Sequence, residues 1–189
     1  VSDEPVWIIA PDEVGDRSMR LRDTGEQTWR FFAEDVRTFA FAASDAFIWD
    51  ACKADVTDKD GTVRAVRVQS LYPKEAEVWY ADHEDGGSTR ILKHSIEFYS
   101  DFLYPYPYPH MTNVNGPEDG MEYPMIVFCG ARTSVRGMQG VTDHEVGHSW
   151  FPMIVNTDER RHVWMDEGFN TFINTYARAD LRQSGLDLN

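Results

Sequence analysis

Two histidines and two glutamates at regular spacing are the residues of this chain most suited to catalysis. His144 and His148 enclose the run His-Glu-Val-Gly-His, and Glu167 follows in the run Trp-Met-Asp-Glu-Gly. Residues four apart lie on one face of a helix, so both imidazoles can bind one metal ion. Glu145 lies one step round the same helix and can contact a water without binding the metal. Two imidazoles and a distant carboxylate leave the fourth tetrahedral position open, which is typical of catalytic zinc. The spacing therefore predicts hydrolysis at zinc.

The alternative for the same residues is a helix that carries two solvated histidines, and the second glutamate-containing motif argues against it. Thr171 lies one turn after Glu167 and is a candidate support for a metal ligand. Asp143 is predicted to cap the helix or to stay solvated, and Tyr176 is predicted to pack in the core. Histidines without partners at ligand spacing are assigned to the surface or the core: His83, His94, His110 and His162.

The charge of the chain limits its partners. Its 18 basic and 32 acidic residues give a formal net charge of −14, which argues against binding to nucleic acid or to an anionic membrane surface. No apolar run approaches membrane-spanning length, and the N-terminus lacks the layout of a signal peptide. Apolar residues make up 42% of the chain, a globular composition that suits one domain or two small ones. Because the chain opens with Val1, a fragment is expected.

The two cysteines leave the redox compartment open. Cys52 and Cys129 lie far apart in the chain, without a Cys-x-x-Cys motif. They are interpreted as two free buried thiols or, alternatively, as one long-range disulfide.

The first part of the chain is predicted to be mostly β. The runs 19–22 and 28–33 flank a turn-like segment and predict a hairpin. Two further strands are predicted at 36–42 and 62–71, and the Asp-Lys-Asp-Gly run at 58–61 predicts a turn before the second.

Helical spacing begins after Pro73. Apolar residues from Ile91 to Leu103 recur at helical positions, and Ser88 is a plausible N-cap. The Tyr-Pro repeat at 104–109 should stop that helix, because each proline lacks an N–H donor. A buried strand is predicted at 125–129. Two more helices are predicted, one carrying the histidine pair and one running from about Asp166 to Leu181, with Trp150, Phe151 and Trp164 packed around them.

With these motifs in view, the chain resembles the gluzincin zinc aminopeptidases, the family of alanyl aminopeptidase and leukotriene hydrolase. The resemblance rests on Gly120-Met121-Glu122, on the His144 to His148 run, and on Trp164 to Gly168. The gap of 18 residues between His148 and Glu167 is the family's HExxH-x18-E spacing. Residues 39–44 are similar to the end of the family's N-terminal β domain.

The resemblance implies a role for each motif residue. His144, His148 and Glu167 are the implied ligands of one zinc ion, and Glu145 is the implied general base. Glu122 is the implied anchor for the free α-amine of the substrate. Its neighbours Met121 and Gly120 are implied to line the same subsite, although Gly120 directly precedes Met121 and Tyr-Pro at 123–124 replaces the family's asparagine.

The resemblance also implies a fold and an activity. The expected fold class is α+β, a thermolysin-like metallopeptidase subdomain preceded by antiparallel β-strands. Residues 1–71 are expected to end an N-terminal β domain, and residues 72–189 to begin the catalytic domain. The expected activity is the release of N-terminal amino acids from peptides by a zinc-activated water. The chain alone is expected to be weakly active or inactive, because the family's oxyanion-binding tyrosine lies further downstream. The rest of the parent polypeptide is expected to complete the active site.

Two other readings of the same motifs remain. The scaffold can serve as a non-catalytic protein-interaction module, which the intact ligand set argues against. It can also carry a zinc endopeptidase or an epoxide hydrolase, which a comparison of free and N-blocked peptides would distinguish.

Overall fold

A computed structural model describes residues 31–80, 87–130 and 134–183. Contacts divide the chain into two units, Val1–Val36 and Arg37–Asn189. Every described helix and strand lies in the second unit, which has the α+β fold that the sequence predicts.

Five strands of the second unit form one mixed sheet in the order β1-β2-β3-β5-β4. The antiparallel strands β1 (Ile48–Thr57) and β2 (Val63–Tyr72) form a hairpin at one side. β3 (His110–Val114) runs parallel to β2, and β5 (Ile126–Phe128) runs parallel to β3. β4 (Met121–Tyr123) pairs antiparallel with β5 and is the opposite edge strand of this sheet.

Three α-helices accompany the sheet. They are α1 (Gly87–Phe102), α2 (Val135–Gly147) and α3 (Phe169–Gln183). Short helical turns lie at Glu77–Trp79 and Trp164–Gly168, and the second of these has the wider π-helical form. The segment Ser149–Ile154 is a kinked turn whose backbone is not helical at Phe151. All three predicted helices are therefore confirmed, although the third one begins with a π-helical turn that leads into α3.

The core forms where α1 packs on the sheet and on α2. The apolar residues of α1 at helical spacing are buried, as predicted: Ile91, Leu92, Ile96 and Tyr99. Residues of β1 and β2 that alternate along the strands face the same core: Ala54, Val56, Val66 and Val68. These two periodicities meet in one apolar layer, which fixes how α1 and α2 lie against the sheet.

The hairpin turn is confirmed at the predicted residues. The Asp58 N–H donates to the Thr62 carbonyl at 2.8 Å, and the Gly61 N–H donates to the Asp58 carbonyl at 2.9 Å. Gly61 has a φ of +86°, a conformation that other residues rarely adopt. Beyond the turn, β2 confirms the strand predicted at 62–71.

Two predictions about local structure are wrong, and one strand was not predicted. The strand predicted at 36–42 is irregular backbone, and its Phe39 and Phe41 side chains are exposed. β1 was not predicted, because only Ala54 and Val56 give it an inward-facing apolar pattern. Ser88 is not an N-cap but a buried residue of α1, whose hydroxyl lies 2.9 Å from the Ser70 hydroxyl. The hairpin predicted at 19–33 lies almost wholly outside the described residues.

The sheet continues across the predicted domain boundary between residues 71 and 72. All of β2 except its last residue lies before that boundary, and β2 pairs with β3, which lies after it. The division by contacts falls instead between Val36 and Arg37. The assignment of the earlier residues to an N-terminal β domain stays a prediction.

Both cysteines are thiols, so the long-range disulfide is wrong. Cys129 is buried as predicted, whereas Cys52 is exposed on β1. Among the described residues, no helix combines the length and the apolar character needed to span a membrane.

The buried His110 at the start of β3 should make stability depend on pH. Burial, and then the nearby Arg67 charge, lower the pKa of His110 to about 4. The unfolded chain binds a proton at about pH 6.5, so stability should fall as the pH decreases from about 6.5 to about 4, by up to about 3 kcal/mol. Urea unfolding across this range should show a greater loss of stability on acidification in the wild type than in His110→Phe. His162→Phe, at an exposed position, should keep the wild-type slope, and parallel curves for wild type and His110→Phe would contradict the assignment.

Candidate metal centre

The last turn of α2 carries the histidine pair. Ser134 caps the start of α2, where its side chain accepts from the Gly137 N–H at 3.1 Å. His144 lies in the final turn, and His148 is the C-cap residue. The four-residue spacing thus brings both imidazoles to the same end of α2, where their Nε2 atoms lie 3.2 Å apart.

Glu167 reaches the same point from the π-helical turn before α3. Its Oε2 lies 3.1 Å from His144 Nε2 and 3.7 Å from His148 Nε2. The three side chains differ in exposure, since His148 is 1% exposed, His144 27% and Glu167 51%. The Nε2 atoms of His144 and His148 and the Oε2 atom of Glu167 therefore form a triangle, which is buried at His148 and open to solvent at Glu167.

This triangle fits a zinc ion. Zinc bonds of about 2.0–2.2 Å in tetrahedral geometry place neighbouring ligand atoms about 3.3–3.6 Å apart. The three observed separations average close to that range. Two imidazole nitrogens and one carboxylate oxygen also form the donor set of many catalytic zinc sites. The predicted ligands are therefore together, with the spacing that one ion requires.

Hydrogen bonds orient the His148 ring. Its Nδ1 lies 2.7 Å from the Phe151 carbonyl oxygen, which accepts the N–H. The Asp166 Oδ1 lies 2.8 Å from the same nitrogen as an ion-pair contact. Both contacts favour the proton on Nδ1, which leaves the Nε2 lone pair directed at the triangle.

Two asparagines of α3 contact His144. The Asn174 Oδ1 lies 3.1 Å from His144 Nδ1, and the Asn170 amide donates to the His144 carbonyl at 2.7 Å. Burial, and then the neighbouring His148, lower the pKa of His144. A neutral imidazole is the form that binds metal.

Two further carboxylates border the triangle. Glu145 on α2 is almost fully buried, and Glu122 lies on the edge strand β4. Potential ligand atoms of Glu122, Glu145 and His148 all lie within 4.8 Å of one another. Burial raises the pKa of the Glu122 carboxyl, and the nearby His148 opposes this effect. A positively charged group in this cleft would therefore stabilise the ionised form of Glu122.

Gly120 permits the close approach between its loop and Glu145. It has a φ of +109°, and a Cβ placed on it would lie 3.0 Å from Glu145 Oε1. Met121 follows as the first residue of β4, paired with Phe128. Gly120 and Glu122 thus lie beside the predicted general base, with Met121 between them in the chain.

Several sequence predictions about the surroundings of the triangle are wrong. Asp143 neither caps α2 nor is solvated, because it is buried and accepts hydrogen bonds from Ser95 at 2.8 Å and Gln139 at 3.3 Å. Burial raises its pKa to about 6. Thr171 is exposed and Tyr176 is half-exposed beside Phe102, so neither has its predicted role.

The remaining histidines and aromatic residues mostly follow their predictions. His94 contacts Asp180 at 2.9 Å, His110 is buried, His162 is exposed, and His83 lies outside the described residues. Trp150 is buried and donates to the Tyr104 carbonyl at 2.7 Å. Trp164 is largely exposed, although its ring contacts Phe169.

Sequence reasoning missed three residues that support the triangle: Asp166, Asn170 and Asn174. The two asparagines lie three and seven positions after Glu167, which is the spacing of one helix face. That spacing was a usable signal, whereas the contact between Asp166 and His148 depends on the π-helical turn.

Comparisons with known proteins find similarity to aminopeptidases. No model of a protein family matches the sequence. Aminopeptidase M1-A of Oryza sativa subsp. japonica is 30% identical over 135 residues, which are 64% of this chain and 14% of that protein. Aminopeptidase M1 of Arabidopsis thaliana is 28% identical over 94 residues, 42% of this chain and 11% of that protein.

A solved structure shares the fold. Aminopeptidase A of Legionella pneumophila, crystallised in complex with aspartic acid, matches with a TM-score of 0.51 and 14% identity. The match covers 70% of this chain and 16% of that one. The chain thus shares its fold with that protein, and the resemblance to the gluzincin aminopeptidases is confirmed. The chain spans 14% or less of the length of these curated relatives.

Gly147 should be essential for the contact between α2 and α3. A Cβ on Gly147 would lie 2.1 Å from Asn170 Oδ1, so Gly147→Ala must displace a buried, hydrogen-bonded side chain. The free energy of unfolding should fall by about 1–3 kcal/mol. Gly140→Ala is the matched control on the same helix, because its Cβ would meet only Arg178 Nη2 at 3.6 Å. That change should stabilise by up to about 1 kcal/mol. Urea unfolding of the zinc-free protein measures both, and equal effects would disprove the close fit.

Proposed function

We propose that this chain is the metal-binding part of a zinc-dependent aminopeptidase, which releases N-terminal amino acids from peptides. The observation that carries the proposal is the triangle of His144, His148 and Glu167, with ligand atoms 3.1–3.7 Å apart. The sequence and fold comparisons support a peptidase scaffold, and the motif residues are intact.

Zinc held by this triangle would supply Lewis acidity, which polarises a carbonyl and lowers the pKa of water. The chain's own residues supply the proton transfers. Glu145 is buried beside the triangle, where its carboxylate can accept a proton from the attacking water. The same group can then pass that proton to the departing amine as the peptide bond breaks. Glu145 therefore acts as the general base and then as the general acid.

Glu122 would select substrates with a free N-terminus. Its carboxylate lies within 4.8 Å of the Glu145 and His148 ligand atoms, at a suitable distance to hold an α-ammonium beside the scissile bond. Burial raises the pKa of Glu122, so its ionised form is costly without a charged partner. A substrate ammonium would stabilise that ionised form by pairing with it. An interior peptide segment offers no such cation, and the enzyme would therefore act as an exopeptidase.

The rest of a longer parent polypeptide would complete the active site. The chain covers only 14% of its rice relative, and Glu167 is half-exposed on the open side of the triangle. Bulky side chains also lie exposed along the neighbouring face of α3 and the turn before it: Trp164, Phe169, Phe172 and Tyr176. A covering domain would exclude water from the site, which strengthens its electrostatic interactions. The chain alone should therefore be weakly active or inactive.

The zinc site is tested by metal binding. The chain should bind one zinc ion. Loss of a residue that only supports a ligand typically weakens metal binding by roughly 10–100-fold. The ligand variants His144→Ala, His148→Ala and Glu167→Ala should each weaken it by more than that. Competition with a chromogenic chelator measures the affinity. At a free zinc concentration of about 100 Kd, binding should stabilise the wild type by about 2.7 kcal/mol. His162→Ala, at an exposed position, should bind like the wild type. Undiminished binding by the three ligand variants would overturn the proposal.

The role of Glu122 is tested on the parent protein with paired substrates. Glu122→Gln should lower the preference for a free-amine peptide over its N-acetylated form by roughly 30-fold or more, since losing one partner of a buried charge pair costs about 2 kcal/mol or more. The ratio of the two kcat/KM values measures this preference. Glu118→Gln, at an exposed position of the loop before β4, should leave it unchanged. Cleavage of blocked peptides by the wild type at a similar rate would point to an endopeptidase.

A further inference from the structure

We propose that Asn174 and Asn170 are positioning residues for His144, an inference that rests on the proposed zinc site. Asn174 selects the His144 tautomer whose Nε2 faces the triangle. Asn170 holds the backbone of His144 against α3, and its side chain occupies space that is free because Gly147 has no Cβ. One face of α3 and the turn before it thus supply both a ligand, Glu167, and the support for a ligand on α2.

The surroundings of Asn174 fix which way its amide points. Its Nδ2 lies 3.1 Å from the Asp143 carbonyl oxygen, which can only accept a hydrogen bond. The same nitrogen lies 2.9 Å from the Tyr99 hydroxyl oxygen, which itself donates to the Asp143 carbonyl at 3.1 Å. The nitrogen end of the amide therefore faces Asp143 and Tyr99, and the oxygen end faces His144.

This orientation determines the His144 tautomer. The Asn174 Oδ1 is an acceptor and lies 3.1 Å from His144 Nδ1, so the proton of the neutral ring must be on Nδ1. The Nε2 atom then carries the lone pair that points at His148 and Glu167. A ring protonated on Nε2 would leave the buried Asn174 oxygen facing a second lone pair, which costs free energy.

Asn170 completes the contact from one turn earlier in α3. Its Nδ2 donates to the His144 carbonyl at 2.7 Å, which fixes its own orientation. Its Oδ1 then accepts from Asn174 Nδ2 at 3.3 Å. The Asn170 nitrogen also lies 3.3 Å from His144 Nδ1. When Nδ1 carries the proton, both nitrogens are donors, so this contact is not a hydrogen bond.

The two asparagine side chains leave no room for a side chain at position 147 of α2. Both amides are buried, and a Cβ on Gly147 would lie 2.1 Å from Asn170 Oδ1 and 3.1 Å from Asn174 Nδ2. The amides are uncharged, so they orient the ring without placing a second charge in the interior. Asp166 is the charged counterpart beside His148.

The test measures zinc affinity and the His144 tautomer on the full chain. Asn174→Leu is close in size and cannot accept the Nδ1 proton, so it should weaken zinc binding by roughly 10–100-fold. Thr171→Val, at an exposed position of α3 between the two asparagines, is the matched control and should bind zinc like the wild type. In the zinc-free protein at alkaline pH, nitrogen-15 NMR should find His144 protonated on Nδ1 in the wild type and redistributed toward Nε2 in Asn174→Leu. A purely structural asparagine would not move the tautomer.

Further variants and outcomes separate this inference from the proposed function. Gly147→Ala combined with Asn170→Ala should relieve the steric conflict and recover much of the stability lost in Gly147→Ala, yet it should still bind zinc more weakly than the wild type. Wild-type affinity in Asn174→Leu, while His144→Ala loses binding, would overturn the positioning role alone. A wild-type His144 protonated on Nε2 would overturn it as well, even if Asn174→Leu failed to fold. Unchanged binding in His144→Ala would overturn the metal site itself.

Discussion

The candidate metal centre depends on the contact between the last turn of α2 and the first turns of α3. Two of its three proposed ligand residues come from the end of α2, and the third comes from the turn that leads into α3. A small shift between these helices would separate atoms that must lie within 3.1–3.7 Å of one another. Buried hydrogen bonds from the Asn170 and Asn174 side chains to the backbone and side chains of α2 hold that contact, and such bonds have stricter geometry than apolar packing.

The apolar core determines where this contact forms. α1 packs on the sheet and on α2. Its Ser95 donates to the side chain of Asp143, and its Tyr99 donates to the Asp143 backbone carbonyl, directly before His144. The end of α2 is therefore held from two sides, by α1 beneath it and by α3 beside it. Because each partner is buried, the ligand helix is positioned before any ion binds, which reduces the cost of ordering on binding.

Some features could be predicted from the sequence because they depend on local spacing. The His144 and His148 pair follows from the helix period, the helix over 87–102 follows from its apolar stripe, and the turn at Gly61 follows from its residue types. Features that depend on a distant partner could not be predicted. Asp143 looks like any polar residue before a histidine until Ser95 and Gln139 meet it. The run 36–42 alternates like a strand, yet no described strand pairs with it.

The graded exposure of the triangle has a consequence for metal exchange. His148 is closed off from solvent, His144 is partly open, and Glu167 is half-exposed at the rim. An incoming ion or chelator therefore meets the carboxylate side first, while the imidazole pair is already oriented behind it. In the proposed site, release of a bound ion would begin at Glu167, the most exposed of the three side chains. The residence time of the ion would then depend on this surface side chain, and a domain that covers Glu167 would lengthen it without making any contact with the ion.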